Sequence, residues 1–110
     1  MSTSPEYVQY VLDQLGDIGV IQTAKMFGGV MLKVDNKQLG IVLNDTLYFR
    51  VKETELREKF TALDSEQFEY LREDTLDPVV VKNWWSVPQE TLEHKQALVG
   101  LAYEVLLQGK

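Results

Sequence analysis

The first residues whose types and spacing suggest chemistry are the glycines of the segment Lys25-Met26-Phe27-Gly28-Gly29. A phosphate-binding loop needs several glycines at fixed spacing, followed by Lys and Ser or Thr at the start of a helix. Here the glycines precede the alternating apolar residues of a strand, and neither a GK[ST] nor a GxGxxG pattern follows them. We therefore interpret the pair as a bend or bulge that begins a strand, or as a close backbone contact with a helix.

The second candidate is His94, the only histidine of the chain. Glu90 stands four residues earlier, so both side chains share one face of a predicted helix. Catalysis by a histidine needs a residue that orients it and a nucleophile beside it, and the ETLEHKQ segment offers neither. The pattern favours a solvated surface histidine.

Metal and thiol chemistry find no support in the sequence. The acids Glu66, Glu69, Glu73, Asp74 and Asp77 lack the spacing of a calcium-binding loop, and we interpret them as a solvated loop. The chain has no cysteine, which excludes disulfides, thiolate nucleophiles and zinc–thiolate sites. We therefore expect no metal, no cofactor and no enzymatic activity.

Two pairs of adjacent aromatic residues, Tyr48-Phe49 and Trp84-Trp85, form the last candidate. Successive side chains of a strand point to opposite faces, so one member of each pair is expected in the core and the other on the outer face. The cations expected on that face are Lys33, Arg50, Lys52 and Lys82. Many acids accompany them, so a protein-contact or dimer surface is favoured over the stacking of bases.

A small-ligand pocket is the alternative interpretation of the aromatic residues. Such pockets are mainly apolar, with a few polar anchors that fix the ligand. Phe27, Tyr48, Trp84 and Trp85 would line this pocket, and Arg50 would be its polar anchor.

The elements that must position these residues follow from the spacing of apolar residues. Ser4 and Pro5 are typical of the start of a first helix, and residues 17–25 are expected to form a connection. The predicted helices are 5–16, 53–63 and 88–107, the last capped by Ser86, and the predicted strands are 28–35, 38–44, 46–52, 66–71 and 79–86.

Strict alternation characterises the three successive strands between residues 28 and 52. In the middle strand, for example, Leu39, Ile41 and Leu43 alternate with Gly40 and Val42. Alternation of this kind predicts an antiparallel meander with one apolar face and one mixed face.

The dipeptides Asp35-Asn36 and Asn44-Asp45 separate these strands. Asn and Asp tolerate left-handed backbone conformations, so both dipeptides predict tight hairpin turns. The element order is then α-β-β-β-α-β-β-α in a single domain spanning residues 1–110. The predicted fold class is α+β, a mainly antiparallel five-stranded sheet with helices packed on one face.

The net charge and the distribution of apolar residues argue against further classes of function. The net charge is −6, and neither half of the chain is basic, so direct binding of nucleic acid is not expected. The N-terminus lacks the pattern of a signal peptide, and no apolar run approaches 18 residues. We expect a cytoplasmic protein with no membrane association.

The segment AKMFGGVMLKVDNKQLGIVLNDTLYFRV, followed later by WWSVP, resembles the N-terminal domain of the TfoX (Sxy) competence regulators. The resemblance covers about residues 6–108. Its signature residues in this chain are Met26, Phe27, Gly28, Gly29, Tyr48, Arg50, Trp84, Trp85 and Pro88.

The resemblance implies a secretion-chaperone-like fold and a regulatory, non-enzymatic role in the expression of DNA-uptake genes. It also implies action at promoters together with the cyclic-AMP receptor protein. Full-length regulators of this type carry a second, C-terminal domain, whereas this chain is expected to be a stand-alone or excised first domain. We expect a protein partner or a homodimer.

Overall fold

The computed structural model describes residues 3–26, 28–71 and 74–108. The helices of these segments are α1 (Pro5–Gln14), α2 (Thr54–Ala62), α3 (Gln89–Glu93) and α4 (Lys95–Leu106), with a 3-10 turn at Gly16–Ile18. The strands are β1 (Gln22–Met26), β2 (Gly29–Val34), β3 (Lys37–Leu43), β4 (Thr46–Arg50), β5 (Gln67–Leu71) and β6 (Pro78–Ser86).

All six strands form one antiparallel sheet in the order β1-β2-β3-β4-β6-β5. The α+β class and the antiparallel sheet are thus confirmed, but the prediction of five strands is wrong. The additional strand is β1, which falls in the segment that we expected to be a connection. Its residues 22–25 are all exposed, so β1 lacks the alternation of apolar residues that identifies a half-buried strand.

Tight turns connect β2 to β3 and β3 to β4, as the sequence predicts. Asp35 and Asn36 have φ angles of 51° and 64°, and Asn44 and Asp45 have φ angles of 51° and 53°. Positive φ at both central residues is typical of the two-residue hairpin turns whose twist matches that of the strands. Both predicted hairpins are therefore confirmed.

The helices pack together on one face of the sheet, which we call the inner face. There the ring of Phe49 meets that of Phe60 from α2 edge to face, with centroids 6.5 Å apart. Val11 of α1, Leu15 at the C-cap of α1 and Leu98 of α4 are fully buried in the same cluster. The prediction of helices on one face is therefore confirmed, and the opposite face, the outer face, meets no helix within the described residues.

The first helix begins as predicted, and the last one does not. The hydroxyl of Ser4 accepts a hydrogen bond from the backbone N–H of Tyr7, so Ser4 caps α1. At the other end of the chain, Ser86 belongs to β6, and Pro88 is the N-cap of α3. The predicted cap at Ser86 is therefore wrong. The predicted single helix is also interrupted at His94, whose backbone is extended.

A β-bulge in β3 changes the predicted alternation. Leu32 pairs with Gly40 and Lys33 pairs with Gln38, which leaves Leu39 without a partner on β2. The core residues Leu39 and Val42 lie on the inner face, whereas Ile41 and Leu43 lie on the outer face. The prediction that Leu39, Ile41 and Leu43 share a face is therefore wrong, because the bulge inserts one extra residue.

Candidate functional site

The outer face of the sheet carries a layer of aromatic side chains over an aliphatic floor. Met31, Ile41 and Leu43 form this floor and are only 2–3% exposed. The residues above it, which we call the outer aromatic patch, are Tyr48, Phe68, Tyr70 and Trp84. A face of this composition can bind an apolar or aromatic surface of another molecule.

Direct ring contacts connect three members of the outer aromatic patch. The rings of Tyr48 and Phe68 meet edge to face with centroids 5.2 Å apart. The rings of Phe68 and Tyr70 stack with centroids 6.2 Å apart. Tyr70 is 42% exposed, so the patch has one side chain that projects well into solvent.

Alternation along β4 and β6 explains why these aromatics reach the outer face. Tyr48 and Trp84 pack against the floor, whereas Phe49 is buried in the inner core and Trp85 packs against that core. The predicted division of both aromatic pairs between the two faces is thus confirmed. It follows that Trp84 and Trp85 do not line one pocket together. The structure therefore does not assemble the aromatic pocket of the alternative interpretation from these two residues.

The glycine pair is a turn and a close contact. Gly28 has a φ of 78° and follows the end of β1, and Gly29 pairs with Met26 to close the β1–β2 hairpin. A Cβ at Gly29 would overlap the backbone carbonyl oxygen of Val42. The prediction of a strand-starting bend is therefore confirmed. Phe27 and the side chain of Met26 lie outside the described residues.

Two further signature residues, Arg50 and Pro88, have backbone roles. The carbonyl of Arg50 accepts a hydrogen bond from Nε2 of Gln108 at 2.7 Å, which ties the end of β4 to the chain after α4. The carbonyl of Pro88 accepts from the N–H of Leu92 at 3.0 Å and begins α3. Pro88 therefore sets the start of a helix, and it is not part of the outer aromatic patch.

A cavity of about 490 Å³ lies at the end of the sheet, where the β2–β3 turn, the end of β4 and the end of α4 meet. We call it the cationic pocket, because its lining includes Lys33, Lys37, Arg50 and Lys52. None of its lining residues is aromatic. Lys33, Arg50 and Lys52 were predicted as outer-face cations, but their assembly around one cavity was not anticipated. The sequence signal for it is one cation at an outward position of β2, Lys33, and two cations at alternate positions at and just after the end of β4, Arg50 and Lys52.

Two tyrosines have perturbed acidity. Burial raises the pKa of Tyr48, and burial likewise raises the pKa of Tyr7 on α1. His94 is exposed, as predicted. Within residues 3–26, 28–71 and 74–108, no three His, Cys, Asp or Glu side chains are grouped so as to hold a metal ion.

Among the described helices, none has the length and apolar character needed to cross a bilayer.

Comparison with known proteins gives one family. No match to a curated protein was found. The family model for the TfoX N-terminal domain matches residues 13–108, which is nearly the whole chain and includes every strand of the sheet. The chain therefore belongs to the TfoX N-terminal domain family.

Proposed function

We propose that this chain is a non-enzymatic, cytoplasmic protein-interaction domain that acts in the regulation of transcription, and of competence genes in particular. The outer aromatic patch is its contact surface. Family membership supports a TfoX-like role. The non-enzymatic part rests on the sequence, which offers no spacing of a nucleophile and a base.

One observation carries the proposal, namely the contrast between the two faces of the sheet. The inner face is covered by the helices, and its largest side chains are fully buried. On the outer face, Tyr48, Phe68 and Trp84 remain partly exposed above a buried aliphatic floor. Tyr and Trp are enriched at the centres of protein interfaces, because each buries a large apolar surface on binding while few of its side-chain torsion angles lose their freedom.

The experiment uses Tyr70, because its exposure allows it to be truncated without emptying the core. In Tyr70→Ser, the patch loses its projecting ring, whereas the floor beneath Phe68 stays in place. Tyr103→Ser is the matched control, because Tyr103 is also an exposed tyrosine, at 47%, but lies on α4.

Binding would be measured by isothermal titration with the purified cyclic-AMP receptor protein of the same organism. Self-association would be measured by sedimentation equilibrium up to about 100 µM, which reaches weak dimers. A central aromatic contributes about 2 kcal/mol to an interface, so Tyr70→Ser should weaken association by about thirty-fold. Tyr103→Ser should bind like the wild type.

Two results would refute the proposal. One is a wild type that remains monomeric and does not bind the receptor protein over the whole concentration range, which excludes both proposed partners. The other is an equal change in association for Tyr70→Ser and Tyr103→Ser, which excludes the outer aromatic patch as the contact surface.

A further inference from the structure

We propose that the cationic pocket binds a small, multiply charged anion of the phosphate type. The anion-binding side chains are Lys33, Arg50 and Lys52, from β2, the end of β4 and the residues just after it. The cavity of about 490 Å³ lies within the size range of small-molecule sites, which is roughly 300–1,000 Å³.

The charge of the pocket is opposite to that of the protein. The chain carries a net charge of −6, yet four of its 11 Lys and Arg residues line this cavity, and no carboxylate does. Within the described residues, none of the four forms an ion pair, whereas Lys59 pairs with Glu104 at 2.5 Å. Clustered like charges repel one another, and a bound anion removes that repulsion.

Two buried polar atoms of the lining lack a partner among the described residues. They are Nε of Arg50 and Oε1 of Gln38. Unpaired buried polar atoms are rare in native proteins, and a guanidinium N–H is a strong donor to phosphate oxygen. The amide of Gln38 can turn its NH2 group to the same position, so it too can present a donor.

The wall of the pocket is held in place by Gln108. Its Oε1 accepts from the backbone N–H of Lys52 at 2.6 Å and of Glu53 at 3.0 Å. Its Nε2 donates to the carbonyls of Arg50 at 2.7 Å and Val105 at 3.0 Å. The end of α4 is thereby fixed to the end of β4, and a site built in advance binds its ligand with a smaller loss of entropy.

The fourth cation of the cationic pocket, Lys37, has a structural role. Its Nζ donates to the carbonyl of Leu106 at 3.4 Å, at the C-terminal end of α4. The last turn of α4 has no basic residue of its own, so Lys37 supplies the positive charge that favours a helix C-terminus. We therefore assign the anion to the other three cations, which require a ligand with at least two negative charges.

The test is isothermal titration of the full chain with inorganic pyrophosphate and with a nucleoside diphosphate, at low and at physiological salt. Stronger binding of the nucleoside diphosphate assigns the site to nucleotides, and equal binding assigns it to phosphate groups alone. Arg50→Gln and the double variant Lys33→Gln/Lys52→Gln each remove charge from the pocket. Lys95→Gln is the matched control, because Lys95 is exposed at the start of α4.

The wild type should bind pyrophosphate, and Arg50→Gln should bind it about tenfold more weakly, as expected for the loss of one charge-assisted hydrogen bond. The double variant should show a larger loss, and Lys95→Gln should match the wild type. Higher salt should weaken pyrophosphate binding by the wild type more than binding by the double variant, because the pocket of the double variant has fewer charges to be screened. Thermal melts of each variant verify that the comparison is made between folded proteins.

Three results would overturn the proposal. One is the absence of binding by the wild type at millimolar pyrophosphate. Another is equal weakening by Lys95→Gln and the pocket variants, which indicates general attraction to surface charge. The third is binding of duplex DNA, lost in the double variant, without any binding of pyrophosphate or nucleotide, which assigns the cations to nucleic acid.

Discussion

Replacing Gly40 with alanine tests a close approach between the backbones of β3 and β4. Gly40 lies in the bulged part of β3 and pairs with Phe49 on β4. A Cβ at this position would overlap the backbone carbonyl oxygen of Tyr48 and would stand 3.1 Å from Cδ1 of Phe49. A side chain can rotate away from such an overlap, but a ladder carbonyl cannot, so β3 and β4 must separate.

The size of the effect follows from this distinction. Overpacking of a core costs about 1–3 kcal/mol, and because the obstacle is backbone we expect a loss of about 3 kcal/mol for Gly40→Ala. The free energy of unfolding of a small domain is only about 5–15 kcal/mol, so this loss is a large fraction of it. For a chain of this length it corresponds to a fall in Tm of roughly 12 °C.

A second glycine, Gly100, supplies a control in which alanine should change stability in the opposite direction. Gly100 lies inside α4, is exposed, and a Cβ there would meet nothing within 4 Å. Alanine at that position gains helix propensity and restricts the unfolded chain, so Gly100→Ala should raise stability by about 1 kcal/mol. Its Tm should rise by roughly 4 °C.

Urea unfolding followed by circular dichroism measures both variants, with the slope m checked for constancy. The reasoning fails if Gly40→Ala unfolds within about 0.5 kcal/mol of the wild type, the range of ordinary surface substitutions. It also fails if the two variants shift stability in the same direction, because Gly100 has free space around it and Gly40 does not.

Three further substitutions probe local interactions. Ser4→Ala removes the hydroxyl that accepts from the N–H of Tyr7 at 3.2 Å, and urea unfolding should show a loss of about 1 kcal/mol. Lys59→Ala breaks the ion pair with Glu104, but both side chains are about half exposed, so the same measurement should show a change below about 0.5 kcal/mol. Burial raises the pKa of Tyr48, so the native state holds that proton more tightly than the unfolded chain does. This stabilisation is complete below the ordinary tyrosine pKa of about 10 and is lost as the pH rises through the raised pKa. In thermal melts between about pH 9 and 11, the Tm of Tyr48→Phe should therefore fall less with rising pH than the Tm of the wild type.

The sequence predicted those parts of the fold whose residues alternate without interruption. Leu47, Phe49 and Val51 face the inner core, and Tyr48 between them faces outward, as a period of two requires. The same rule predicted that Trp84 and Trp85 lie on opposite faces, and they do. These predictions succeeded because each side chain's face depends only on its parity within its own strand.

Elements defined by pairing alone could not be predicted in this way. The strand β1 is recognisable in the structure by its register, from Gln22 opposite Lys33 to Met26 opposite Gly29. Its exposed residues carry no burial pattern, since β1 is an edge strand. The break at His94 is similarly hidden, because neither Gly nor Pro marks it in the sequence.

The cationic pocket depends on the same bulge that disturbs the alternation in β3. Without the bulge, Gln38 would share the inner face with Gly40, and Leu39 would point outward with Ile41. The bulge instead places Leu39 in the inner core and pairs Gln38 with Lys33 on the opposite side. The unpaired Leu39 thus fills the core, and the same shift puts Gln38 in the lining of the cavity. A period-two interpretation of 38–44 assumes that no such residue exists, so it could predict neither the separation of Leu39 from Ile41 and Leu43 nor the pocket that holds Gln38.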